Sequence, residues 1–106
     1  MTLIEAVKAN PSIVAVPEET ILAAFIGRDI DHTEDYVFAQ KKNVELVSAD
    51  IYVAIANQPN FTEGALSVTY NPKVLMARAR NIYLKYEDDQ LSETGYSKVP
   101  LTITKV

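Results

Sequence analysis

The stretch VELVSADIYVAIA, residues 44–56, decides the fold predicted for this chain of 106 residues. Its apolar residues recur at helical spacing. One face of such a helix carries Val44, Val47, Ile51 and Ile55. Its β-branched residues would also suit a strand, but its length favours a helix from about Ala39 to Asn57. Because Glu45 and Asp50 are the only charges within residues 44–56, this helix is expected to be central and buried on most sides.

Two helices are predicted before this one. Thr2 and Glu5 form a capping-box pattern at the start of a helix that runs to Ala9, where Asn10-Pro11 ends it. After a short apolar connector, Pro17 suits the first position of a second helix that runs to Ile26. Its predicted buried stripe consists of Ile21, Leu22, Phe25 and Ile26.

A last helix is predicted from Pro72 to about Glu87, with Asn71 as its cap. Its apolar stripe consists of Leu75, Ala79, Ile82 and Tyr86. The tyrosines of these long helices, Tyr52, Tyr83 and Tyr86, are placed to bury the ring and keep the hydroxyl in water. Together the four helices indicate a mostly α, four-helix bundle-like domain that spans residues 1–106.

A small β element is predicted beside the helices. Residues 65–70 alternate between apolar and polar side chains, as a strand does. Residues 99–106 alternate in the same way, and Pro100 would confine this strand-like tail to a sheet edge. The two segments can pair over about 65–70 and 99–105. The polar stretch 88–98 between the last helix and the tail is expected to be a mobile loop.

Composition and charge exclude several classes of function. Hydrophobic residues make up 48% and charged residues 23% of the chain, which is typical of a globular domain rather than a disordered one. The absence of cysteine excludes disulfides and thiolate metal sites. The net charge of −4 argues against specific nucleic-acid binding. No apolar run is long enough to span a membrane, and no secretory signal pattern begins the chain. We therefore expect a cytoplasmic protein.

Two charged stretches remain to be interpreted. The cations Lys73, Arg78, Arg80 and Lys85 suit a solvated or partner-facing helix, with a phosphate-binding surface as the alternative. The acids of residues 29–35 begin like a calcium loop, but Glu34 and Gln40 stand where glycine and a bidentate Glu are required. His32 is the single histidine, and no serine lies in a nucleophile pattern. We expect no catalysis, no metal and no cofactor.

Residues 57–86 resemble the small head–tail connector, or adaptor, proteins of tailed bacteriophages and prophages. The similarity lies in a long apolar helix, a Thr-Glu-Gly turn at 62–64, the alternating segment Ser-Val-Thr-Tyr at 67–70, and a final helix from Pro72. It is closest to a small prophage-encoded group of such proteins. The short, proline-broken first helices and the strand-like tail depart from the better-known connectors.

This resemblance implies a structural virion protein without catalytic activity, which forms a ring between the portal and the tail. Its implied partners are further copies of itself, the portal protein and tail-completion proteins, and it would be found in the host cytoplasm and in the virion. The expected subunit or partner interface consists of Thr62, Glu63, Gly64, Ser67, Val68, Thr69, Tyr70, Leu101 and Ile103. The alternative is a small cytoplasmic interaction or regulatory module of a mobile element, working as a monomer or dimer.

Overall fold

The computed structural model describes residues 1–13, 15–57 and 71–94, and this part of the chain is mostly helical, as predicted. Its α-helices are α1 (Leu3–Lys8), α2 (Glu18–Gly27), α3 (Lys41–Ala56) and α4 (Pro72–Tyr86). Short 3₁₀ helices cover Phe38–Gln40, directly before α3, and Asp89–Thr94, after α4. The segments of the expected β element, 65–70 and 99–105, lie outside the described residues.

Helix α3 is the central element of the fold. It contacts α1, α2, α4 and both 3₁₀ helices. Its buried residues occupy most of its circumference and are Leu46, Val47, Ser48, Ala49, Ile51, Tyr52 and Ile55. Both hydroxyls among them are hydrogen-bonded: that of Ser48 donates to the Val44 carbonyl at 2.8 Å, and that of Tyr52 accepts from the Asn10 side-chain amide at 2.7 Å. The thinly charged sequence therefore predicted a central helix correctly, because a helix surrounded by other elements has little surface for charges.

Helix α4 packs antiparallel to α3. Residues late in α4 meet residues early in α3, since Lys85 pairs with Glu45, whereas the start of α4 lies beside Ala56, the last residue of α3. Asn71 caps α4 by accepting from the Lys73 and Val74 amides, as predicted. The helix ends at Glu87, which takes a left-handed conformation with φ of 51°.

Helix α1 is fixed by local and long-range hydrogen bonds. The predicted capping box is present: the Glu5 amide donates to the Thr2 hydroxyl, and the Thr2 amide donates to the Glu5 carboxylate. The main chain of Thr2 also forms an antiparallel bridge with Asp35, and the Tyr36 amide donates to the Met1 carbonyl at 2.7 Å. The N-terminal residues are thus held against the segment that leads into α3.

Helix α2 presents a narrower buried face than the sequence predicted. Ile21 and Phe25 are each 1% exposed, but Ile26 is 77% exposed. Since α2 has its main helix contact with α3 alone, a single i, i+4 row is covered, and Ile26 lies about 100° away from Phe25 around the helix axis. Pro17 also precedes the helix as its N-cap residue rather than forming its first turn.

The buried face of α4 is likewise rotated slightly from the predicted stripe. Leu75 and Ala79 are buried as expected, whereas Tyr83 is buried in place of Ile82 and Tyr86, which are only partly covered. The Tyr83 hydroxyl was predicted to stay in water. It instead donates to an Asp50 carboxylate oxygen at 2.5 Å. Leu91 of the second 3₁₀ helix is also buried in the core, at 5% exposure.

Candidate functional site

The residues predicted to form a subunit or partner interface all belong to segments outside the described residues. These are Thr62, Glu63, Gly64, Ser67, Val68, Thr69, Tyr70, Leu101 and Ile103. The structure does define the helices that flank the first of these segments. Residues 57–71 connect α3 to α4, and this is longer than the roughly 2–8 residues that usually join neighbouring helices of a bundle.

The most highly connected polar group in the described residues is formed by Arg28, Asp50, Tyr83 and Asp88, here called the Arg28 cluster. Arg28 follows α2 directly as its C-cap residue. Its guanidinium donates to both Asp50 oxygens, at 2.5 and 2.9 Å, and to both Asp88 oxygens, each at 3.0 Å. The cluster therefore joins the end of α2, the middle of α3 and the residues that follow α4.

The electrostatics of the Arg28 cluster favour its charged and hydrogen-bonded form. The Arg28 side chain is 17% exposed and the Asp88 side chain 16%. Hydrogen bonds from Arg28 hold the pKa of the Asp88 carboxyl below its ordinary value. Burial, and then the hydrogen bond to Asp50, raise the pKa of the Tyr83 phenol, so its hydroxyl stays protonated as a donor. Bonds to Asp50 likewise raise the pKa of Arg28.

A surface hollow of about 420 Å³ lies over this cluster and is lined by Ala24, Gly27, Arg28, Asp50, Val53, Tyr83, Asp89 and Gln90. The guanidinium and the phenol that border it already donate to carboxylates within the protein. Forked pairing of a guanidinium with two carboxylates fixes geometry strongly. The chemistry of the cluster is therefore that of a structural clamp between elements that are distant in the sequence.

The acidic loop, residues 29–35, makes its contacts mainly within itself and with α1. Asp31 accepts from the Thr33 amide at 2.9 Å and from its hydroxyl at 2.6 Å, and these bonds lower the pKa of Asp31. The His32 ring lies 6.1 Å from the Phe25 ring, centre to centre. Across residues 1–13, 15–57 and 71–94, no three His, Asp or Glu side chains are grouped so that they could hold a metal ion.

Exposed apolar side chains are concentrated where the acidic loop meets α3. We call Met1, Tyr36, Val37 and Phe38 the apolar patch. Met1 is 68%, Val37 54% and Phe38 89% exposed, and the hydrogen bond between the Tyr36 amide and the Met1 carbonyl places the two parts of the patch side by side. Clustered exposure of this kind is typical of interaction surfaces, whereas single exposed apolar residues are ordinary.

The outward face of α4 is positively charged, in contrast to the acidic loop 29–35. Helix α4 contains four cations and no acid. On its N-terminal half the exposed residues are Lys73, Val74, Ala77 and Arg78, here called the basic face. Val74 is 46% exposed, and Arg78 donates to the Ser12 hydroxyl at 2.6 Å. The basic face thus combines apolar and positively charged side chains.

Comparison with known proteins places the chain in a family. A model described as "Family of unknown function (DUF6706)" matches residues 1–100. The protein belongs to this DUF6706 family. No curated protein and no solved structure matches the chain. Membership therefore relates the whole helical domain to other sequences without assigning an activity to it. Among the described helices of this DUF6706 member, none is long and apolar enough to cross a membrane.

The Arg28 cluster was not predicted from the sequence, although one signal for it was present. Asp50 and Glu45 are the only charged residues between Val44 and Ala56 of the central helix, and a carboxylate in such a position needs a partner. The partners could not be named from the sequence, because Arg28 and Asp88 lie 22 and 38 positions away in different elements. The exposed apolar patch was also not predicted, because a run of three apolar residues such as Tyr36, Val37 and Phe38 does not by itself show whether it is buried or exposed.

Proposed function

We propose that this DUF6706 protein is a structural head–tail connector of a tailed phage or prophage, which forms a ring between the portal and the tail. The observation that carries the proposal is the connection between α3 and α4. It is longer than the packing of two antiparallel helices requires, and it contains the Thr-Glu-Gly and Ser-Val-Thr-Tyr segments that resemble connector proteins. We propose that this connection supplies the contacts with partners.

The described core supports this proposal in a second way. Residues from α1, α2, α3 and α4 close a core in which Leu3, Val7, Ile51 and Ile55 are fully buried. None of these four residues belongs to the strand-like segments 62–70 and 99–106. Segments with strand-like alternation can pair with a neighbouring chain by strand addition. The proposed partners are further copies of the protein, the portal and tail-completion proteins, in the host cytoplasm and the virion.

The test is co-assembly with the portal protein encoded by the same element, followed by electron microscopy of the particles. The wild type is expected to form a ring on the portal. The double variant Val68→Asp, Tyr70→Asp is expected to lose the ring while its helical circular-dichroism signal is kept. A matched control, Ala23→Asp with Ile26→Asp, introduces the same charges at exposed positions of α2 and should still assemble.

Two results would overturn the connector proposal. The first is a wild-type protein that never associates with that portal at concentrations where the portal itself is assembled. The second is a Val68→Asp, Tyr70→Asp variant that assembles as well as the control, which would remove the proposed contact segment. A wild type that binds a different protein of the element as a monomer or dimer would favour the interaction-module alternative.

A further inference from the structure

We infer that copies of this chain associate head to tail, with the apolar patch and acidic loop of one copy docked on the basic face of α4 of the next. This docking mode rests on the ring-forming function proposed above, because it takes a second copy of the chain as the occupant. It adds to that function a specific pair of surfaces, both formed by described residues.

The first argument is the apolar character of the two surfaces. Phe38, at 89% exposure, is the most exposed large apolar residue in the described part of the chain, and Val37 beside it is 54% exposed. On the basic face, Val74 and Ala77 lie one turn apart and are both exposed. Removing a large apolar side chain such as that of Phe38 from water is favourable, so association would remove an unfavourable exposure.

The second argument is charge complementarity. The acidic loop carries Asp29, Asp31, Glu34 and Asp35 within seven residues, all of them outside the Arg28 cluster. Helix α4 carries cations only, and Lys73 and Arg78 flank Val74 and Ala77 on its exposed side. On the basic face the apolar centre is bordered by cations, and the apolar patch is preceded by the acids of residues 29–35 and followed by Lys41 and Lys42 of α3. The negative charge therefore lies on the loop side of the patch. Opposite potentials around matched apolar centres are what a specific interface needs in order to fix orientation.

The third argument is the position of the two surfaces in the fold. The apolar patch ends at Phe38, in the 3₁₀ helix Phe38–Gln40 that directly precedes α3. The start of α4, with Lys73, lies beside Ala56 at the other end of α3. Since α3 has 16 residues, the two ends are separated by about 24 Å. Different surfaces at opposite ends of a subunit produce head-to-tail contacts, which close into rings when the rotation between copies allows it.

Cross-linking of single-cysteine variants tests this docking mode directly, because the wild-type chain has no cysteine. Ala39→Cys places a thiol next to the apolar patch and Ala77→Cys places one on the basic face. Ala23→Cys on α2 is the matched control, since all three alanines are exposed. Equimolar pairs of variants are treated with a short bifunctional thiol reagent at high protein concentration and low salt, and the covalent dimer is followed over time.

The mixture of Ala39→Cys with Ala77→Cys is expected to cross-link about tenfold faster than the mixture of Ala39→Cys with Ala23→Cys, because docking raises the effective concentration of the two thiols. The advantage should disappear near 1 M salt, where the Debye length falls to about 3 Å. It should also disappear when Phe38→Asp is added to the Ala39→Cys chain, and this change at an exposed position leaves the core intact.

Other outcomes overturn the inference. Equal rates for the test and control mixtures would show that the two surfaces do not meet. Fastest cross-linking of Ala39→Cys or Ala77→Cys with itself would show a symmetric dimer instead. A rate advantage that persists unchanged in high salt would remove the role of the charges. The portal experiment is independent of this one. Cross-linking without portal binding would support the docking mode and reject the connector function. Portal binding without preferential cross-linking would support the connector function and reject the docking mode.

Discussion

Replacing Arg28 with methionine should destabilise the domain by about 2–3 kcal/mol. The substitution keeps most of the apolar stem but removes four N–H···O bonds to Asp50 and Asp88. Breaking a fully buried ion pair costs about 3–5 kcal/mol, and an exposed pair contributes about 0–1 kcal/mol. Side chains that are 16–22% exposed lie between these limits, which sets the expected value.

Urea unfolding followed by circular dichroism measures this loss. The control is Lys8→Met, which breaks the ion pair between Lys8 and Glu18. These two side chains are 44% and 58% exposed, so this loss should be clearly smaller than that of Arg28→Met. If Arg28→Met costs no more than Lys8→Met, the Arg28 cluster is not the clamp described here.

The pH dependence of the same pair of variants provides a second check. The pKa of Asp88 is lowered mainly by its hydrogen bonds with Arg28. A carboxyl whose pKa is depressed in the folded state contributes stability that is present above its unfolded pKa of about 4 and is lost as the pH falls through the folded pKa. The difference between wild type and Arg28→Met should therefore be constant near neutral pH and shrink below about pH 4. A difference that grows on acidification would contradict the assignment.

Four further predictions concern the core, the first helix, a buried phenol and the acidic loop. Ile51→Ala should lower the free energy of unfolding by about 2–5 kcal/mol in urea, since Ile51 is 0% exposed. Ile82→Ala should lower it clearly less, because Ile82 is only partly buried. Equal losses would contradict the assigned helix faces. Thr2→Ala should lower stability by about 0.5–2 kcal/mol through loss of the capping box, with Thr2→Ser as the conservative control. In an ultraviolet pH titration, the absorbance of Tyr83 should change above the usual range near pH 10, and Tyr83→Phe should remove only that late change. Calorimetric titration of the protein with calcium, zinc or manganese should show no stoichiometric site of micromolar affinity in the acidic loop 29–35.

The ends of the helices were predictable because local chemistry fixes them. Thr2 with Glu5 and Asn71 with Pro72 satisfy the first amides of α1 and α4 within a few residues, and such signals are complete in the sequence itself. The central position of α3 was predictable for a related reason, since the scarcity of charges along a helix reports directly on how much of it meets water.

The faces of the outer helices were predicted less well because they depend on which neighbour covers them. Ile26 continues an apolar stripe in the sequence but has no element packed over it, and is 77% exposed. Tyr83 borders the predicted stripe of α4 but turns inward, because Asp50 on α3 accepts its hydroxyl. Periodicity gives the helix and an approximate face, whereas a polar partner on another element selects the final rotation.

The Arg28 cluster shows the same limit more strongly, since its members come from three separate parts of the chain. Asp50 signals that a partner must exist, but only the packing of α2 and α4 on α3 brings Arg28 and Asp88 to it. The interface residues proposed from the resemblance, 62–64, 67–70, 101 and 103, stay predictions, because they lie outside the described residues.

The link between Arg28 and Asp88 also has a consequence for the order of events during synthesis. A ribosome releases the chain from its N-terminus, and domains fold largely as units. Helix α3 can be covered by α4 only after α4 has emerged from the ribosome. Arg28 can bind its second carboxylate, that of Asp88, only after residue 88 has emerged. The contacts that hold α2 through Arg28 are therefore complete only after most of the chain has been synthesised. We expect arrest-peptide force measurements to report folding late, once residue 88 has left the exit tunnel, rather than stepwise from the first helices.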